Sequence, residues 1–147
     1  MSFHSTLNSE EATDRLAIRE LVDAYAYCAD RRDAKGQMAL FTPDTHFVVH
    51  MDAKSAIPSQ ELYGRAALAP VFENLGSHRV TTHFNGQSTV ELDGSKATGV
   101  SYCLAHHVST RDGKDSLMVA SIRHPDTFTK QEGRWCFAER KLIVDWI

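Results

Sequence analysis

Residues 80–92 read "VTTHFNGQSTVEL". Taken in steps of two, Val80, Thr82, Phe84, Val90 and Leu92 fall on one face, and Thr81, His83, Asn85, Gln87, Thr89 and Glu91 on the other. Alternation of this kind predicts a β-strand with one packed face. The polar face carries His83, so the functional question is whether that face meets water or lines a pocket.

Downstream, three more long strands are predicted near residues 96–109, 116–129 and 134–146, joined by "DGS", "RDGKD" and "QEG", all hairpin turn sequences. Upstream the periodicity changes. "NSEEATDRLAIRELVDAYAYCADRRD" predicts a helix capped by Asn8 or Ser9, with Glu10 and Glu11 in its first turn. Leu16, Leu21, Tyr25 and Cys28 form its apolar stripe, with Ile18 and Val22 beside it. A short helix is expected in "DAKGQMALFTPD", capped by Asp33 and stopped by Pro43. "THFVVHM" reads as a short strand and "DAKSAIPSQELYG" as a loop. "GRAALAPVFENLG" reads as a third helix, kinked at Pro70 and ending near Gly76. Residues 1 to about 8 read as a loose tail. Helices followed by a meander argue for an α+β fold, with N-terminal helices packed on a curved, mostly antiparallel sheet. Residues 1–147 are expected to form one domain.

Hydrophobic residues make up 42% and charged residues 24%, the balance of a globular protein, and the net charge of −3 gives no basic footprint for nucleic acid. Arg31-Arg32 reads as a solvated helix end. No apolar run spans a membrane, and "MSFHSTLNSEEATDR" lacks the pattern of a secretory signal. Cys28, Cys103 and Cys136 have no metal or redox spacing and sit in apolar segments, as small buried hydrophobes of a reducing, cytoplasmic compartment would.

In "GVSYCLAHHVS", Gly99, Ser101, Cys103, Ala105 and His107 share one face; in "WCFAERKLIVDW", Cys136, Ala138, Arg140, Leu142 and Val144 do. Small residues interspersed with a few polar ones suit a concave pocket. The opposite faces carry Tyr102, Leu104, Trp135, Phe137 and Ile143, an apolar surface that a homo-oligomer interface would cover. Of the eight histidines, His4, His46, His50, His78 and His124 are read as structural or solvated, and His106 likewise or at a subunit contact. His83 and His107 stand out as a set. No HExxH is present, and His106-His107, adjacent on a strand, point to opposite faces, so no metal is expected, although His83, His107 and Asp30 could meet in space. No GxSxG, phosphate loop or dinucleotide fingerprint is present, so no cofactor is expected. Asp30 follows the apolar run "AYAYCA" at a helix C-terminus, where an acid opposes the helix dipole. A local rule broken there points to function. Paired with His83, it would fix the imidazole tautomer and stabilise the imidazolium, leaving the ring to act as a base.

"IRELVDAYAYCADRRDAKGQMALFTPD", "TTHFNGQSTVEL" and "EGRWCFAERKL" resemble the SnoaL-like branch of the nuclear-transport-factor-2-like superfamily, from about Asp14 to Trp146. The resemblance implies a cone-shaped α+β barrel and an Asp-His dyad like that of scytalone dehydratase, bile-acid 7α-dehydratase and hexachlorocyclohexane dehydrochlorinase. Asp30 in "CADRRD" matches the dyad aspartate, and His83 in "TTHF" the catalytic base. His107 in "LAHHV" matches a second active-site histidine, Arg140 in "FAERK" an active-site arginine, and Tyr25 an active-site tyrosine. Val49 and Ala29 stand where scytalone dehydratase has tyrosines, so no single relative's site is reproduced. Tyr25 and Asp30, five residues apart, differ by about 140° around an ideal helix, so Tyr25 reads either as a site residue or as a core aromatic. The resemblance implies a cofactor-independent lyase, dehydratase-like, acting on a bulky apolar molecule such as a steroid, polyketide or aromatic-derived ring. An isomerase or polyketide cyclase using the same dyad, and a non-catalytic binding module, are the alternatives. A dimer or trimer is implied.

Overall fold

The computed structural model describes residues 7–147; most of the expected tail, with His4, lies outside them. Helix α1, Ser9–Asp30, starts at Asn8, whose side chain accepts from the Glu11 amide. Its buried side is Asp14, Ile18, Leu21, Val22, Tyr25, Ala26 and Ala29. Leu16, expected on that stripe, is 61% exposed, because the buried side runs through Asp14 and Ile18. Asp14 is tied to the sheet by the Trp135 indole at 2.9 Å and the Lys130 ammonium at 3.0 Å.

Helix α2, Ala34–Met38, is capped by Asp33 as expected, but it ends before Pro43. Strand β1, Phe41–His50, has already begun by then, and Pro43 sits where its pairing with the last strand is interrupted between Phe41 and His46. The expected loop contains a short strand β2, Gln60–Tyr63, antiparallel to β1. The third helical segment is broken as Pro70 predicts. Two 3-10 turns, Arg65–Leu68 and Asn74–Ser77, flank α3, Ala69–Glu73.

The four long strands are β3 (Val80–Asp93), β4 (Lys96–Arg111), β5 (Lys114–Gln131) and β6 (Arg134–Trp146). With β1 and β2 they form one six-stranded open sheet in the order β2-β1-β6-β5-β4-β3. β1 and β6 run parallel, and every other neighbouring pair runs antiparallel. The architecture is the expected α+β cone, with helices over a curved mixed sheet that does not close on itself.

Bulges in β3 and β6 shift the simple alternation. In β3, Gly86 and Gln87 together oppose Tyr102, so the inward residues are Thr81, His83 and Asn85 before the bulge and Ser88, Val90 and Leu92 after it. Val90 and Leu92 therefore share the face of His83, and Phe84, 67% exposed, points out. In β6, Ala138 is the extra residue, so Trp135 and Phe137 join Arg140 inside instead of covering the outer face. The main core is aromatic, built from Phe41, Phe47, Phe72, Phe128, Phe137 and Trp135 against α1. A second cluster of smaller residues, Cys103, Ala105, Ala120, Ile122 and Val144, fills the other part of the concave face. Of the three cysteines only Cys103 is fully buried, and all are free.

Candidate functional site

The end of α1 delivers Asp30 to β3. Its carboxylate accepts the His83 ring Nδ1–H at 2.7 Å, the His83 amide at 2.9 Å and the Thr81 hydroxyl at 2.9 Å. An acid that opposes its own helix dipole is thus compensated by donors from another element. A carboxylate only accepts, so the His83 proton sits on Nδ1 and its Nε2 is the free base position. Nε2 has no hydrogen bond among the described residues. The dyad is sheltered, with the His83 side chain 11% and the Asp30 side chain 26% exposed.

Arg32 holds this pair from behind. It adopts a left-handed backbone, φ 60°, just past the helix, and its guanidinium donates to the Thr81 hydroxyl at 2.7 Å and the Ala29 carbonyl at 3.0 Å. It supports the dyad through Thr81 while staying exposed, as does Arg31 beside Tyr27.

His107 faces the dyad across β3 and β4, its ring 5.5 Å from that of His83 and 4.4 Å from that of His78. Burial, then the neighbouring His78, His83 and Arg32, push His107 down to about 4. It is a neutral imidazole whose buried Nε2 has no hydrogen-bond partner among the described residues. His78, read as structural, donates or accepts at the Ser109 hydroxyl, 2.9 Å away, and stacks obliquely on His107.

Deeper in lies a second polar group. Tyr25 is 8% exposed and packs edge-on against Phe41, Phe72, Phe137 and His124. Of the two readings of Tyr25, the structure shows the core aromatic, with a hydroxyl that has no hydrogen bond among the described residues. Burial pushes it up to about 12, so it is a donor rather than a base. Arg140 is 1% exposed, its guanidinium 4.1 Å from the Tyr25 ring centre and 4.4 Å from that of Phe137. Cys103 lies near both Arg140 and Asp30, and burial pushes its thiol up to about 11, so it is an inert thiol.

Three site residues were missed by the sequence reading. They are Asp126, 3.2 Å from the Arg140 Nε, His124 beside Tyr25, and Ser101, which accepts from Arg140 Nη2 at 3.4 Å. The signal existed. Ala120, Ile122, His124, Asp126 and Phe128 alternate along β5, and two polar residues inside an otherwise apolar, central face mark an interior polar group. Pro125 explains part of it. By the strand register Pro125 lies opposite Lys141, and it has no N–H to give. The His124 Nδ1–H donates to the Lys141 carbonyl instead, at 2.9 Å. Burial, with Arg140 nearby, holds His124 well below the usual histidine range, so this ring is neutral.

The structure thus brings Asp30, His83 and His107 together, and separately Tyr25 and Arg140, where α1 meets the concave face of the sheet. His46 lies elsewhere, between Glu139 and Glu61 at 3.0 and 3.1 Å. His83, His107 and Asp30 do meet, but among the described residues no group of His, Cys, Asp and Glu is arranged to hold a metal. Among those residues no helix is long and apolar enough to cross a membrane.

An uncharacterized protein of Mycobacterium tuberculosis is 26% identical over 92% of this chain and 88% of its own length. A solved structure from Novosphingobium aromaticivorans, provisionally named a scytalone dehydratase, is 26% identical with a TM-score of 0.77, covering 92% of this chain and 86% of that one. A hexachlorocyclohexane dehydrochlorinase, LinA type 2, superposes with a TM-score of 0.73 over 92% of this chain and 87% of that one. At 15% identity the latter likeness is one of fold. Residues 10–141 match the SnoaL-like domain, and the chain belongs to that family, within the nuclear-transport-factor-2-like superfamily.

Proposed function

We propose that the protein is a cofactor-independent lyase in which His83 removes a proton from carbon next to a carbonyl or similar activating group. The observation that carries this reading is the Asp30–His83 pair. Asp30 fixes Nδ1 at 2.7 Å and holds the His83 backbone as well, leaving Nε2 unpartnered in a sheltered site. A carboxylate beside the ring stabilises the imidazolium that forms when the proton is taken. A dyad opened to solvent would have favoured a binding module instead.

The steps balance with no added reagent. The C–H bond breaks, its proton goes to His83 Nε2, and its electron pair moves toward the activating oxygen. Tyr25 and Arg140 are the donors for that oxygen, and His107, neutral, lies beside the base. As the electron pair returns, an alkene forms and the C–O bond breaks. The leaving hydroxide takes the proton from the imidazolium and departs as water. Membership of the SnoaL-like family supports a bulky, fairly apolar ring substrate such as a steroid, polyketide or aromatic-derived compound.

The test is incubation in deuterated water with a panel of steroid, polyketide and cyclic hydroxy-ketone compounds, with His83→Ala as the blank. Deuterium incorporation or water loss that needs His83 supports the lyase. Exchange without water loss would make the protein an isomerase or cyclase of the same dyad. Tight binding with no exchange would favour the binding module.

A further inference from the structure

The buried Arg140 makes a geometric demand that the dyad does not answer. A guanidinium has a side edge, Nε with Nη2, and a far end, Nη1. Here both atoms of the side edge have a neighbour: Nε lies 3.2 Å from Asp126 Oδ1 as an ion pair without a hydrogen bond, and Nη2 donates to Ser101. Nη1 is buried with neither an ion-pair nor a hydrogen-bond partner among the described residues. A permanent cation stacked on two rings could turn about its long stem unless something fixes its edge. Asp126, with its side chain 1% exposed, is the only anion paired with it among the described residues.

Asp126 has needs of its own. Its contact with Arg140 is an ion pair without hydrogen-bond alignment, and both its oxygens lack hydrogen bonds. It also lines a cavity of about 30 Å³ beneath α1, with Arg15, Arg19, Ser88, Ser101 and Val90. That is room for about two waters. Arg15 has a buried Nε with no partner, and its Nη1 is committed to the Val90 carbonyl at 2.8 Å. A donor and an acceptor, each unpaired and buried around one polar pocket, are the setting of a bridging water.

We propose that Asp126 is the positioning residue of the site. It locks the side edge of Arg140, is itself satisfied by water from the pocket beneath α1, and so leaves Nη1 for an oxygen of the substrate. The last clause rests on the lyase reading, and the positioning does not. Asp126 is the group whose charge sets the lock. Burial pushes its carboxyl up to about 7, with Arg140 pulling the other way, so the lock is charged above neutral pH and loosens below it. The other ionisable groups around it are Tyr25, Arg15 and Arg19 of α1 and His124 beside it on β5. Glu91, Glu139 and Lys141 lie across the groove on its outer side.

The test reads Arg140 directly, without substrate. The arginine Nε–Hε signals of the ¹⁵N-labelled protein are followed by NMR from acid to alkaline pH, with the Arg140 signal assigned by its loss in Arg140→Gln. In the wild type that signal is expected to exchange slowly with water and to shift with a midpoint near pH 7. In Asp126→Asn it should exchange at least tenfold faster and be flat with pH, while Ser101→Ala should keep the titration. A signal with equal exchange and an equal pH course in Asp126→Asn overturns the proposal. If Asp126→Asn does not fold, the wild-type titration decides, and a flat course there overturns it. A locked arginine with no turnover on any compound counts against the lyase alone. His83-dependent turnover with an insensitive arginine counts against the positioning alone.

Discussion

Asp30 shows how much a single side chain can reveal before any coordinate is seen. Its place at a helix end, against the dipole, marks it in the sequence, and its three donors in the structure give the reason. Replacing His83 with Ala, or Asp30 with Asn, is expected to lower turnover at least 100-fold with the circular dichroism spectrum intact, in the range general-base catalysis supplies; unchanged rates would remove the dyad from the mechanism. Thr81→Val takes a donor from Asp30 and an acceptor from Arg32, and is expected to cost about 1 kcal/mol in urea unfolding and a partial loss of rate. His107 gives a pH signature. In the folded protein it stays neutral down to about 4, whereas in the unfolded chain it takes a proton near 6.5. Its contribution to stability is thus lost as pH falls from about 6.5 to 4, and His107→Gln should show a smaller fall in melting temperature over that window than the wild type. Parallel curves would mean that the ring is solvated.

At the scale of elements, strand and turn chemistry is local and strand periodicity is not. Gly99 illustrates the second. A Cβ there would stand 2.4 Å from the Thr89 carbonyl oxygen, where β3 and β4 approach beyond the β3 bulge. Gly99→Ala is expected to lower stability by about 1–3 kcal/mol, read by chemical denaturation, since backbone rather than a flexible side chain must move. The long strands and their turns were legible because alternation and Gly-containing turns are written in neighbouring residues. The face assignments of Val90, Leu92, Trp135 and Phe137 were not. A bulge at Gly86–Gln87 or at Ala138 is chosen by what lies across the sheet. At the first, Arg19 of α1 donates to the Gly86 carbonyl and the Ser88 hydroxyl. In the same way the dyad was legible as two unusual residues, and His107 and Arg140 as polar residues among small ones. Asp126 and His124 were legible only as polar residues on an apolar strand face, and their pairing with Arg140 and Tyr25, like that of Ser101, depends on partners delivered by other elements.

For the whole molecule, the outer face of the sheet carries several exposed apolar side chains side by side. Phe84, Leu104 and Trp146 lie along one cross-strand row with Ser121 between the last two, and Val80, Val108 and Leu117 along another. A homo-oligomer is expected, and Phe84→Glu with Leu104→Glu should bring the mass in sedimentation equilibrium down to a monomer with the fold retained; an unaltered mass would place any interface elsewhere. The strand order has a different kind of consequence. β6 leaves the ribosome after the other five strands of this sheet, yet it sits third in it, with β2 and β1 on one side and β5, β4 and β3 on the other. Until it emerges, the two parts of the sheet have no edge in common, and the nascent chain holds His83 and Asp30 without Arg140. Assembly must therefore wait for translation to reach β6, and a ribosome stalled before that strand would display two unjoined edges to the chaperones that meet it.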